Sequence, residues 1–184
     1  MRALATSASS DPREALLAVY AVNDSMNQLI LEHLDRRAWR TSLPGRAGRA
    51  RTIASIFAHL HNCRLRWLKK SAPHLKRPRP LDPHRCTLEQ AAAGLEKSAV
   101  QSLKMLAEAL SSHSGRRVTL FRRDDWMPVW PADPTMFAYM FAHEAHHRGQ
   151  ILMLAHQLGY PLAKGYRIWH WDKFWKQAGI PRPK

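Results

Sequence analysis

MFAYMFAHEAHHRGQILMLAHQL, residues Met136 to Leu158, reads as one amphipathic helix. At about 100° per residue, Met136, Met140, Ile151, Leu154 and Leu158 fall within about 60° of one another and form an apolar stripe. Two imidazoles interrupt it. His143 and His147 lie four residues apart, so they stack one turn from each other on the same face. A buried polar group without a partner costs roughly 1–3 kcal/mol, and here two sit side by side. Other core side chains could satisfy them, and so could a divalent metal, which suits this spacing.

The remaining segments supply the helices against which this one packs. Asp11-Pro12-Arg13-Glu14 offers an N-cap, a proline at the first helical position and a glutamate at the third. A first helix follows to about Ala38, with Leu16, Tyr20, Ile30, Leu31 and Leu34 inward. Asn23 and Asn27 share that face, and a structural role is the simpler reading for both. RTSLPGRAGR, with Pro44, Gly45 and Gly48, reads as a loop. Thr52 caps a second helix to about Lys70, in which Ile53, Ile56, Phe57, Leu60 and Trp67 recur at helical spacing. His59 and His61 flank that stripe on opposite sides, and periodicity does not choose between them.

Residues 71–86, SAPHLKRPRPLDPHRC, hold four prolines and cannot be helical throughout. At a polyproline rise they reach ~50 Å, longer than a ~30 Å helix of twenty residues. This linker can therefore carry the chain back along the bundle, leaving the second and third helices parallel. Thr87-Leu88-Glu89-Gln90 is a capping box for a third helix to about His113, with Leu88, Leu95, Leu106 and Leu110 inward. RRVTLF is expected to be briefly extended and RRDDWMPVWPAD to be loop. Asp133-Pro134 starts the fourth helix and Gly159-Tyr160-Pro161 stops it. Trp169, Trp171, Phe174 and Trp175 are expected to cover the bundle's end or a subunit interface. The prediction is an all-α four-helix bundle. It spans residues 1–184 as one domain, with 1–10 a flexible tail and 71–86 a crossover.

The totals bound the function. No apolar run reaches the ~18 residues of a membrane span, the N-terminus lacks a signal-peptide core, and two cysteines make no disulfide framework. A cytoplasmic protein with no membrane partner is expected. The net charge is +15, which attracts polyanions. The basic residues are scattered and match no nucleic-acid-binding motif, so a solvated basic surface is favoured over a nucleic-acid partner.

HEAHH, residues 143–147, satisfies the HExxH pattern of zinc peptidases. The extended form needs Gly at 150 and His at 153, where the chain has Gln150 and Met153. No glutamate follows Glu144, and Asp172 is the only later carboxylate. Peptidase activity is therefore not expected.

HEAHHRGQ, His143 to Gln150, instead resembles the HxxxHxxQ signature of the DinB family of bacterial bundle metalloproteins, at His143, His147 and Gln150. SIFAHLHNCRLRW resembles the family's other conserved helix and aligns His59 as a third metal ligand. Tyr20, Asn23 and Asn27, and the tryptophan-rich tail, are also similar to the family's pattern. The resemblance implies a bundle with a long crossover between its second and third helices, usually a homodimer. It implies a divalent metal on His59, His143 and His147, zinc or nickel first and iron or manganese next, with open positions for water or substrate. It further implies an enzyme acting on a small-molecule substrate, with characterised relatives that are transferases using low-molecular-weight thiols. A thiol-dependent S-transferase acting on small electrophiles is the expectation. A metal-dependent hydrolase is the alternative, as is a non-catalytic basic metal-binding protein associated with nucleic acid or stress response. Gln150, one turn beyond His147, is expected to hydrogen-bond a bound water, orient a ligand or pack at the bundle seam.

Overall fold

The computed structural model describes residues 11–44, 51–163 and 171–179. Residues 1–10, Gly45, Gly48 and Trp169, on which expectations were placed, lie outside the described residues. Four long helices dominate: α1 (Pro12–His33), α2 (Ile53–Ser71), α3 (Leu88–Ala109) and α4 (Pro134–Gln157). A short α5 (Trp171–Gln177) follows and lies against α1, with Phe174 and Trp175 half-buried.

The helix starts follow from local chemistry. Asp11 accepts from the Arg13 amide and Asp133 from the Thr135 amide, each before a proline that needs no amide partner. Thr52 with Ser55, and Thr87 with Gln90, form reciprocal capping boxes. α4 ends on Gly159, whose φ of 83° favours glycine. There the Tyr160 amide donates to the Ala155 carbonyl and the Gly159 amide to that of His156, closing a Schellman motif.

Two helices end earlier than the sequence suggests. α1 stops at His33, not near Ala38, because Asp35 accepts from the Arg37 amide and begins a separate 3-10 turn over Arg36–Ala38. α3 stops at Ala109, not near His113. The Arg116 guanidinium donates to the carbonyls of Ala109 and Ser111, satisfying acceptors left free at a helix C-terminus. The extended piece expected in RRVTLF forms as β1 (Leu120–Phe121), and it pairs in a two-residue antiparallel ladder with β2 (Trp130–Pro131), which lies in the segment expected to be loop.

Cross-helix contacts fix the topology. Cys86, just before α3, contacts the Ala54 carbonyl near the start of α2, and further along Arg64 donates to the Leu95 carbonyl. α2 and α3 therefore run parallel, as the length of the crossover allows. α1 pairs Tyr20 with Phe137 and Asn27 with Arg148, so α1 and α4 run together and opposite to the other two.

The crossover is pinned rather than loose. His61 contacts the Arg79 carbonyl through Nε2 at 2.9 Å and Ser98 Oγ through Nδ1 at 3.1 Å. Asn62 donates to the Leu81 carbonyl and accepts from the Leu81 amide. At Gly94 a Cβ would come within 3.2 Å of Leu81 and 3.4 Å of His61, so the absent side chain lets the crossover lie close on α3.

Candidate metal centre

α2 and α4 bring three histidine rings together. His59 and His143 face each other, Nε2 to Nε2, at 3.3 Å. The His147 ring lies 4.7 Å, centroid to centroid, from each of them. Cys63, one turn after His59, places its Sγ 3.5 Å from His59 Nε2. The nitrogen and sulfur atoms of His59, Cys63 and His143 lie within 4.8 Å of one another and could hold a metal ion. His61 takes no part, because it points to the crossover. The structure thus brings His59, His143 and His147 to one place and adds Cys63, which the sequence reading passed over. Its signal was its i+4 position after His59, the spacing by which His143 and His147 were noticed.

Gln150 acts on His147. Its Oε1 accepts at 2.8 Å from His147 Nδ1, which makes Nδ1 the protonated nitrogen and leaves the Nε2 lone pair for a ligand. Its Nε2 donates to His146 Nε2 at 3.0 Å.

The rings are held neutral. Burial pushes the pKa of His59 and of His143 down to about 4, and the positive charges that neighbouring His147 and, for His59, Arg51 would add act in the same direction. Burial likewise lowers His147 and raises the Cys63 thiol to about 11. His143 Nδ1 is buried with no hydrogen-bond partner. Neutral imidazoles, a thiol and an unsatisfied buried ring nitrogen form a donor set that fits a borderline divalent cation.

An aromatic wall closes one side. Tyr139 stacks on His143, Trp67 meets it edge-on, and Phe121 and Trp130 of the hairpin pack behind them. Arg123 lies over the Trp130 and Tyr139 rings at 4.2 and 4.4 Å. The other side is open. A cavity of about 940 Å³ is bounded by His59, His147, Gln150, His146, Arg51 and Met153, and none of its described lining residues is a carboxylate.

Glu144 faces elsewhere. The wheel centred on His143 and His147 puts it at the edge of the apolar face, whereas in the bundle it is fully buried. The buried residues of α4, including Met140, Glu144, His147, Arg148 and Ile151, centre near Glu144, a shift of roughly 60°. Arg64 donates to both carboxylate oxygens, at 2.8 and 2.7 Å. Tyr20, Asn23 and Asn27 donate at 2.8, 2.7 and 2.9 Å. Arg148 bonds Asn23 and Asn27, and Asp24 bonds Arg64. Burial alone would raise the Glu144 pKa, but the Arg64 charge and these donors hold it down at about 2. Two guanidinium groups and two carboxylates therefore neutralise one another inside the bundle, and Asn23 and Asn27 have the structural role read from their helix face. A glutamate so occupied is not available as the general base of an HExxH peptidase.

The family model described as DinB family matches residues 10–177. No curated protein matches the chain, and neither does any solved structure. No helix among the described residues is long and apolar enough to cross a membrane.

Proposed function

The chain belongs to the DinB family, and from that premise we propose that it is a divalent-metal enzyme that transfers a low-molecular-weight thiol to a small electrophile. His59, His143 and His147 would hold the ion, zinc or nickel before iron or manganese. The observation that carries this reading is that His59 and His147 both border the 940 Å³ cavity while His143 lies behind them. A bound ion would therefore keep a side towards solvent and substrate. When bound, a divalent ion supplies Lewis acidity, which generates a nucleophile at neutral pH.

The chain's own groups set the remaining conditions. Gln150 fixes the tautomer of His147. The Trp67, Tyr139 and Phe121 rings exclude water behind His143. Arg51, with no carboxylate beside it among the described lining residues, favours an anionic thiol or electrophile. His146, exposed at the cavity and bonded to Gln150, is the group placed to take or return a proton there. Hydrolysis is the second reading, and His146 would serve it as base, since none of the described lining residues is a carboxylate. The homodimer expected from the family belongs to this proposal, with light scattering as its test.

The experiment is to incubate metal-loaded protein with a panel of bacterial thiols and a generic electrophile and to follow thiol loss. Expected is a rate above background that His147→Ala abolishes. Equal background rates in both proteins, together with cleavage of an ester or amide panel by the loaded protein alone, would replace transferase with hydrolase.

A further inference from the structure

A second site lies on the crossover, away from the histidine cluster. Residues 76–81 read KRPRPL, and the prolines hold this segment extended. His61 fixes the Arg79 carbonyl and Asn62 fixes both backbone groups of Leu81, so the cationic side chains project from a backbone already in place. Between this segment and α3 lies a groove of about 830 Å³ lined by Lys76, Arg77, Arg79, Arg85 and Lys97, all exposed. Asp82, the sole carboxylate among the described lining residues, lies 4.0 Å from Arg85 and accepts from the His84 amide. The ion pairs among the described residues leave out Lys76, Arg77, Arg79 and Lys97.

We propose that this groove binds the phosphate backbone of duplex nucleic acid without reading its bases. Arginine forks match phosphate oxygens. At the polyproline rise, Lys76 to Arg79 extends the cations over roughly 9 Å, enough to follow a strand rather than to enclose one small anion. Single strands are gripped by stacking their bases on aromatic rings, and no aromatic residue is among the described residues that line this groove. The net charge of +15 steers a polyanion towards it. The inference stands on residues that take no part in the metal centre, so either can fail without the other.

The test is fluorescence anisotropy of the full chain with a labelled duplex of about 20 base pairs, between roughly 20 and 150 mM salt. Binding through four phosphates gives a slope of log K on log salt near −3.6, at about −0.9 per contact. Arg77→Ala/Arg79→Ala/Lys97→Ala should flatten the slope by about one unit per residue and weaken low-salt binding tenfold or more. Lys69→Ala/Lys104→Ala/Arg122→Ala removes equal charge from exposed positions outside the groove and should change affinity far less. Arg77→Ala alone, at an exposed side chain, gives the same reading on a single step if the triple variant melts early. Equal losses in the two triple variants would overturn the proposal. So would tighter binding of a single strand of the same length, or of phosphatidylserine vesicles, than of the duplex.

Discussion

His143 and Glu144 are consecutive residues of α4 that serve different halves of the bundle. His143 meets His59 on α2 at 3.3 Å, and Glu144 turns into the interior to accept from Nε and Nη2 of Arg64 at 2.8 and 2.7 Å. The 100° step of a helix separates the face of the candidate metal centre from a structural one. The HExxH pattern is thus present in letters and absent in geometry.

That separation makes Glu144 a stability residue. Glu144→Ala breaks the fully buried pair with Arg64 and leaves Asp24 as its carboxylate partner, and breaking such a buried pair costs about 3–5 kcal/mol. Chemical denaturation should show a loss of that order, while the metal content of the folded fraction stays that of the parent. A variant of parent stability that has lost its metal would contradict this assignment.

Gln150 and His61 are separable in the same way. Gln150→Ala frees the His147 ring, and loss of such a supporting hydrogen bond weakens metal binding by roughly 10- to 100-fold, measurable by competition with a chelator. His61→Ala leaves the Arg79 carbonyl without its bond, at about 1–3 kcal/mol, with metal binding retained. His59→Ala should do the reverse. Equal metal loss in the His59 and His61 variants would reject the division of labour between them.

The pH dependence has a fixed sign. His59 and His143 titrate near 4 in the folded chain against about 6.5 when unfolded. Between these values the unfolded state binds more protons, so stability rises with pH there. The metal-free protein should hold its stability above about pH 6.5 and lose it progressively towards pH 4. His59→Ala/His143→Ala should flatten that fall. Melting curves across pH 4–7 in the presence of chelator check it, and an identical slope in parent and double variant would refute it.

Much of the fold was legible because it is local. Asp11, Thr52, Thr87 and Asp133 each cap a helix with atoms two or three residues away, and Gly159 ends one by its own dihedral. The histidine pair was legible for the same reason, since i,i+4 spacing is read within one helix. Arg64, Arg148 and Cys63 were not. An arginine on a helix is ordinarily exposed, and these two are buried only because α1 and α4 supply carboxylates and amides from distant positions. The choice between His59 and His61 likewise rested on which neighbour each ring faces. One faces α4 and the other the crossover, and a single helix wheel contains neither.

Removal of the ion should also be visible in the melt. At an ion concentration about 100 times Kd, binding adds ~2.7 kcal/mol, which for a chain of this length corresponds to a melting shift of roughly 5–11 °C. The shift should vanish in His143→Ala.

Elemental analysis of the untagged chain, purified without chelator, tests the metal centre most directly. About one zinc, nickel or similar divalent ion per chain is expected in the parent and in Glu144→Gln, and none in His59→Ala, His143→Ala or His147→Ala. No bound metal in the parent, before or after reconstitution, would contradict the assignment of His59, His143 and His147 as ligands.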